Sequence, residues 1–253
     1  TLASAATFAV VAFLLLYYLG GAVSGIAPAL GVVVSPIACI LAPALLLALF
    51  RRYDLRATFL ARAPVRSAWP ATILLAASTW FLAAFALAPL QNEILPIPGP
   101  VAKEIERLLG DTLTALGPFK LLALALLPAV CEELAFRGLV LQGLRERFRP
   151  FPAVILSSLL FGALHLSPYR FAATFLLGLL LAGLAIRSRS LLPPILVHAA
   201  HNALAITFAS EHPGTTSYVV FPVLFITGLL LLARSPGTGT EQTTAAARGV
   251  PSP

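Results

Sequence analysis

Seven side chains that hydrocarbon penalises lie inside otherwise apolar runs: Glu132, Glu133 and Arg137 in LLPAVCEELAFRGLVL, His165 in FGALHL, and His198, His201 and Asn202 in HAAHN. An ionisable group at mid-bilayer costs about 2.5–3.5 kcal/mol on insertion scales, so such groups face the interior of a bundle and are paired or functional. Glu133 and Arg137 have the i, i+4 spacing of a carboxylate–guanidinium pair on one helix face. Glu132 sits about 100° further round the helix and needs another partner. His198 and Asn202, also i, i+4, share a face. His201 reads as a structural imidazole turned away from that partner. A carboxylate, two imidazoles and a carboxamide suit water-dependent acyl transfer. The carboxylate acts as general base towards a water, and an imidazole holds that water or gives a proton to the leaving amine. His198 and Asn202 can then donate to the oxyanion. A metal version uses Glu132, His165 and His198 as a two-histidine, one-carboxylate set that leaves a position open for water, with zinc as the candidate ion. There is no H-E-x-x-H, and spacing alone does not choose between the two. Ser157, Ser158 and Ser167 lie near, but no G-x-S-x-G accompanies them.

The elements that hold these groups must be membrane helices. The chain is 59% hydrophobic and 11% charged, with mean hydropathy +0.93, against roughly 25% charged in soluble domains. The expectation is an all-α fold, a polytopic helical bundle with about eight transmembrane helices near 4–22, 27–50, 70–90, 118–142, 151–167, 171–187, 192–209 and 217–233. Pro36 and Pro43 predict a kink in the second. Counted at ~1.5 Å per residue from one membrane face, Glu132 lies at ~16 Å, His165 at ~21 Å, Asn202 at ~15 Å and His198 at ~9 Å, so one cavity can collect them. Segment 91–117 is Pro-rich and then amphipathic, with Ile105, Leu108, Leu109 and Leu113 as its apolar stripe, and predicts an interfacial helix. The expected organisation is N-terminal helices and the interfacial segment (1–117), a catalytic core (118–209), a last transmembrane helix (210–233) and a disordered tail (234–253). The chain starts at Thr1 and contains no Met, which reads as a processed chain or a segment of a longer one. Cys39 and Cys131 both fall in spans and read as small apolar groups.

Lys and Arg distribute unevenly between alternate loops. Twelve of the seventeen fall in 51–69, 143–150, 187–191 and the tail, and four (Lys103, Arg107, Lys120, Arg170) on the other face. By the positive-inside rule the first face, with both termini, is cytoplasmic. The net charge of +7 is then topology. No basic stripe interleaves with aromatics, so no nucleic-acid partner is expected.

EELAFR (132–137) resembles the EExxxR motif of the CPBP intramembrane protease family, which includes the type II CAAX prenyl endopeptidases and bacterial relatives. FGALH (161–165) resembles its FxxxH motif and HAAHN (198–202) its HxxxN motif. The resemblance implies an intramembrane endopeptidase in which Glu132 and His165 activate water, His198 and Asn202 form the oxyanion hole, and Glu133 and Arg137 support the site. It matches the metal-free mechanism better, so no cofactor is required, and the substrate is a peptide or membrane protein. CEELAFRGLVLQGLRERF, LHLSPYRF and LPPILVHAAHNAL also resemble the C-terminal part of ABC transporter permeases fused to a CPBP domain, which implies an ABC transporter as a partner and a bacterial inner membrane as the location. Two other readings stand beside this one: a non-catalytic scaffold or ABC-permease accessory domain with a structural polar network, and a proton- or ion-coupled transporter, for which the sequence shows no internal repeat.

Overall fold

The computed structural model describes residues 1–208 and 213–235. Among them helices are the sole regular structure, as expected for backbone that must satisfy its own hydrogen bonds in lipid. In chain order they are α1 (Leu2–Ile26), α2 (Pro28–Phe50), the short α3 (Leu55–Thr58), α4 (Ala68–Ile94), α5 (Gly99–Phe119), α6 (Leu122–Arg145), α7 (Pro150–Ala163), α8 (Pro168–Ser188), α9 (Leu192–Thr207) and α10 (Ser217–Arg234).

Every window expected to span holds a helix, but fewer than eight of these helices can cross alone. α1, α2, α4, α8 and α10 are long and apolar enough, with mean hydropathy from 1.8 to 2.6. α5 and α6, bent 109° to each other, add a sixth only if taken together as one broken span. α7 and α9 have 14 and 16 residues, about 21 and 24 Å at 1.5 Å per residue, short of a hydrocarbon core of about 30 Å. Hydropathy overestimates α7 because the apolar window runs on through the turn at 164–167, where Leu166 takes a positive φ of 51°.

Pro36 does not break α2. A π-helical turn, Ser35–Leu41, absorbs the missing donor, and Pro43 falls in the first turn of the α-helical segment that follows. The α-helical part of α5, Gly99–Leu116, is capped by Gly117, whose φ of 50° and ψ of −124° suit a residue without Cβ and start the sharp bend into α6. Arg234, the first residue of the expected tail, closes α10. The remainder of that tail from 236, with Glu241 and Arg248, lies outside the described residues, as do Ala209 and Glu211.

Two apolar clusters organise the bundle. One joins α1, α2, α6 and α7 through Phe8, Ile40, Phe136, Leu139 and Phe161. The other joins α4, α8, α9 and α10 through Leu75, Leu177, Leu181, Val197 and Leu232. Leu46, Phe50, Ile73, Val219 and Ile226 remain exposed, as lipid-facing side chains should. Polar residues of α6, of α9 and of the turn after α7 line one cavity.

Candidate active site

α6 changes from α-helical to π-helical geometry within the EELAFR stretch, at Leu134. Glu133 Oε1 and Arg137 Nη1 approach to 2.9 Å with both side chains almost wholly buried. Arg137 Nη2 donates to Gly178 O at 3.2 Å, and its guanidinium carbon lies 4.4 Å from the centre of the Phe161 ring. Charge pairing, a carbonyl and an aromatic face thus share the cost of desolvating one cation.

Gly178 owes its place to close packing. A Cβ there would come within 3.0 Å of Ser158 Cβ and 3.3 Å of the Phe161 ring. The missing side chain lets α8 press against α7 and brings the Gly178 carbonyl to Arg137.

Glu133 also reaches across the bundle. Its Oε1 accepts from His198 Nδ1 at 2.9 Å, so the opposite ring nitrogen, Nε2, is left for other work. That Nε2 lies 3.9 Å from Glu132 Oε2. This is beyond hydrogen-bond length but short enough for one water to bond both groups. Glu132 Oε2 is buried and has no protein hydrogen-bond partner, a state that native structures seldom leave unanswered. The two adjacent glutamates therefore differ: Glu133 holds Arg137 and orients His198, and Glu132 faces the cavity.

His165 stands in the turn after α7. Its Nδ1 donates to Phe161 O at 2.8 Å; a carbonyl can only accept, so Nε2 is the nitrogen free for the cavity. The Phe161 ring meets His165 and His198 edge-on, at centroid distances of 5.0 and 5.8 Å. A cavity of about 690 Å³ is lined by Glu132, His165, His198 and Asn202 together. Leu108, Leu109 and Thr112 of α5 form one wall, and Ser24, Pro28 and Gly31 at the α1–α2 junction form another. A smaller cavity of about 100 Å³ lies beside Glu132 and His165, against Ser35, Pro36 and Ile40.

His201 corrects an expectation. It lines the same cavity as Asn202, because a residue three positions from His198 lies only about 60° from it around the helix. The i, i+3 spacing carried that signal. Arg170, in the first turn of α8, is a second cavity residue that the motifs do not mark. Among the described residues no three His, Cys, Asp or Glu side chains are grouped to hold an ion. Cys39 and Cys131 are both buried free thiols.

No curated protein and no solved structure matches the chain. The family model described as type II CAAX prenyl endopeptidase Rce1-like matches residues 114–204. That stretch runs from the end of α5 through most of α9 and includes Glu132, Glu133, Arg137, His165, His198 and Asn202. With all six motif residues inside it, the segment 114–204, about a third of the chain, is similar to the Rce1-like family of type II CAAX prenyl endopeptidases.

Proposed function

We propose that the protein is an intramembrane endopeptidase that hydrolyses a peptide bond with a carboxylate-activated water and no metal. The observation that carries this reading is Glu132 Oε2, buried without a protein partner and 3.9 Å from His198 Nε2, on the wall of a cavity large enough for a peptide segment. Glu132 takes a proton from the water, and the water oxygen attacks the scissile carbonyl carbon. His165 Nε2 accepts a hydrogen bond from the same water and fixes its lone pair towards the carbon. The carbonyl oxygen becomes an oxyanion and is held by Asn202 Nδ2 and by His198 Nε2–H when that ring carries both protons. Glu133, bound to His198 Nδ1, fixes the orientation of that ring. Collapse breaks the C–N bond as Glu132 returns its proton to the leaving amine, giving one carboxylic acid and one amine.

The preferred topology, with cytoplasmic termini in a bacterial inner membrane, sets the direction of access. The cavity walls come from the α1–α2 junction, α5, the α7–α8 turn and the C-terminal half of α9. All of these lie at the face poor in Lys and Arg, so the substrate reaches Glu132 from the extracytoplasmic side. An ABC transporter partner remains part of the proposal through the fusion-like stretches, and co-purification from membranes tests it.

The decisive experiment compares the wild-type chain with Glu132→Gln in bilayer nanodiscs, using a peptide library read by mass spectrometry. Cleavage should fall by at least about 10³-fold with the thermal unfolding midpoint unchanged. Equal turnover in the variant sinks the mechanism. A variant that loses fold but had no activity to lose favours the structural-network reading instead.

A further inference from the structure

Next to the catalytic cavity lies a second one, of about 240 Å³, and Arg170 and His201 line both. The further polar groups of the second cavity are Gln91, Asn92, Tyr169 and Thr174, and among the described residues no carboxylate lines it. Glu132 is the single acid among the described residues on the wall of the larger cavity. Gln91 donates to Tyr169 O and so ties the end of α4 to the start of α8 beside Arg170. Arg170 is exposed, and no ion pair engages it among the described residues. His201 Nδ1 is buried with no hydrogen-bond partner. An uncompensated guanidinium and an unsatisfied buried imidazole nitrogen, on two residues that line both cavities, suit an anion. A planar carboxylate matches the guanidinium fork best.

We infer that Arg170 and His201 form a carboxylate-reading subsite, which takes an anionic group of the peptide whose scissile bond lies at Glu132. The subsite rests on the endopeptidase reading for its purpose but not for its binding. The peptide carboxylate has two sources, an Asp or Glu side chain and the free C-terminus. Arg170 supplies the charge, and His201 supplies a hydrogen bond from the buried side. The apolar remainder of the pocket, including Ala88, Leu95 and Leu177, accommodates a small aliphatic neighbour.

The test uses the full chain carrying Glu132→Gln, so that bound peptide survives, in phosphatidylcholine nanodiscs. Fluorescent apolar hexapeptides are made in two matched series, one comparing Asp with Asn at each position and one comparing a free C-terminal acid with its amide. Fluorescence anisotropy should show about tenfold tighter binding of the carboxylate form in one series, the size expected of a charge-assisted hydrogen bond. The series that responds identifies the source. Arg170→Gln should bring the ratio to about one, Arg170→Lys should keep part of it, and His201→Ala should reduce it. Unchanged thermal unfolding midpoints check that each variant folds. A ratio near one in both series, or a preference that survives Arg170→Gln, overturns the subsite. If the preference is present but the wild-type chain cuts none of the peptides that bind, the subsite stands and the endopeptidase reading fails. If the wild type cuts peptides without preference for the carboxylate, the reverse holds.

Discussion

His198 and Glu133, separated by 65 positions in the chain, meet through Nδ1 and Oε1 at 2.9 Å with both side chains shut away from solvent. The same oxygen lies 2.9 Å from Arg137 Nη1. One carboxylate therefore links the bundle's buried cation to the imidazole that faces Glu132.

That linkage separates function from stability at one position. Glu133→Gln keeps the volume but weakens two charge-assisted contacts, and kcat should fall about 10–100-fold with little change in KM. Arg137→Met leaves the buried Glu133 carboxylate without its cation and should cost about 3–5 kcal/mol of stability, whereas Glu133→Leu together with Arg137→Met should cost less than Arg137→Met alone. Chemical unfolding in mild detergent, combined with turnover, measures both; additive losses in the double variant would refute the coupling.

Gly178 offers a steric test. Gly178→Ala puts a Cβ 3.0 Å from Ser158 Cβ, so α7 and α8 must separate and the Arg137 contact at Gly178 O lengthens. Stability should fall by about 1–3 kcal/mol. Ser158→Gly in the same chain removes the clashing atom and should recover much of the loss, as read by the unfolding midpoint.

Orientation can be read chemically. With the native thiols buried, single cysteines at exposed Lys103 and Arg66 report the two faces. A membrane-impermeant maleimide applied to intact spheroplasts should label Lys103→Cys and leave Arg66→Cys unlabelled until the membrane is opened. The opposite pattern would turn the catalytic mouth towards the cytoplasm.

The wall formed by α5 should soften in acid. Arg107 bonds Glu104 at 2.7 and 2.9 Å and Asp111 at 2.8 Å. The hydrogen bonds from Arg107 hold the Glu104 carboxyl below the usual carboxylate range. A depressed folded-state value stabilises the helix above the ordinary carboxylate range, and the benefit is lost as pH falls through the folded value. Amide protection factors across Gly99–Leu116, corrected for intrinsic exchange, should stay level from pH 8 to about pH 6 and fall only in the acid limb. Because the pair is fully exposed, the change should be small and should weaken with added salt.

Much of this site was legible before any coordinates. Intolerance of charge in hydrocarbon singles out Glu132, Glu133, Arg137, His165, His198 and Asn202, and i, i+4 spacing pairs Glu133 with Arg137 on helical period alone. The contact between Glu133 and His198 joins separate helices, and no local pattern encodes which carboxylate the ring chooses. Gly178 was silent because its part is played by a backbone carbonyl and an absent side chain. α7 is shorter than its apolar window because hydropathy records apolar residues whether or not the chain has already turned. His201 was a failure of reading, since its spacing from His198 already placed it towards the cavity.

Phe161 gives the arrangement a further property. Its ring carries the guanidinium of Arg137 against its face and meets both cavity imidazoles edge-on. The guanidinium of Arg137 is thereby met by an aromatic face and by Glu133, with the cavity imidazoles packed against the same ring. A cation in direct contact with a hydroxide formed at Glu132 would trap it as a stable ion pair. One occupied in this way leaves the anion reactive and still balances the charge of Glu133.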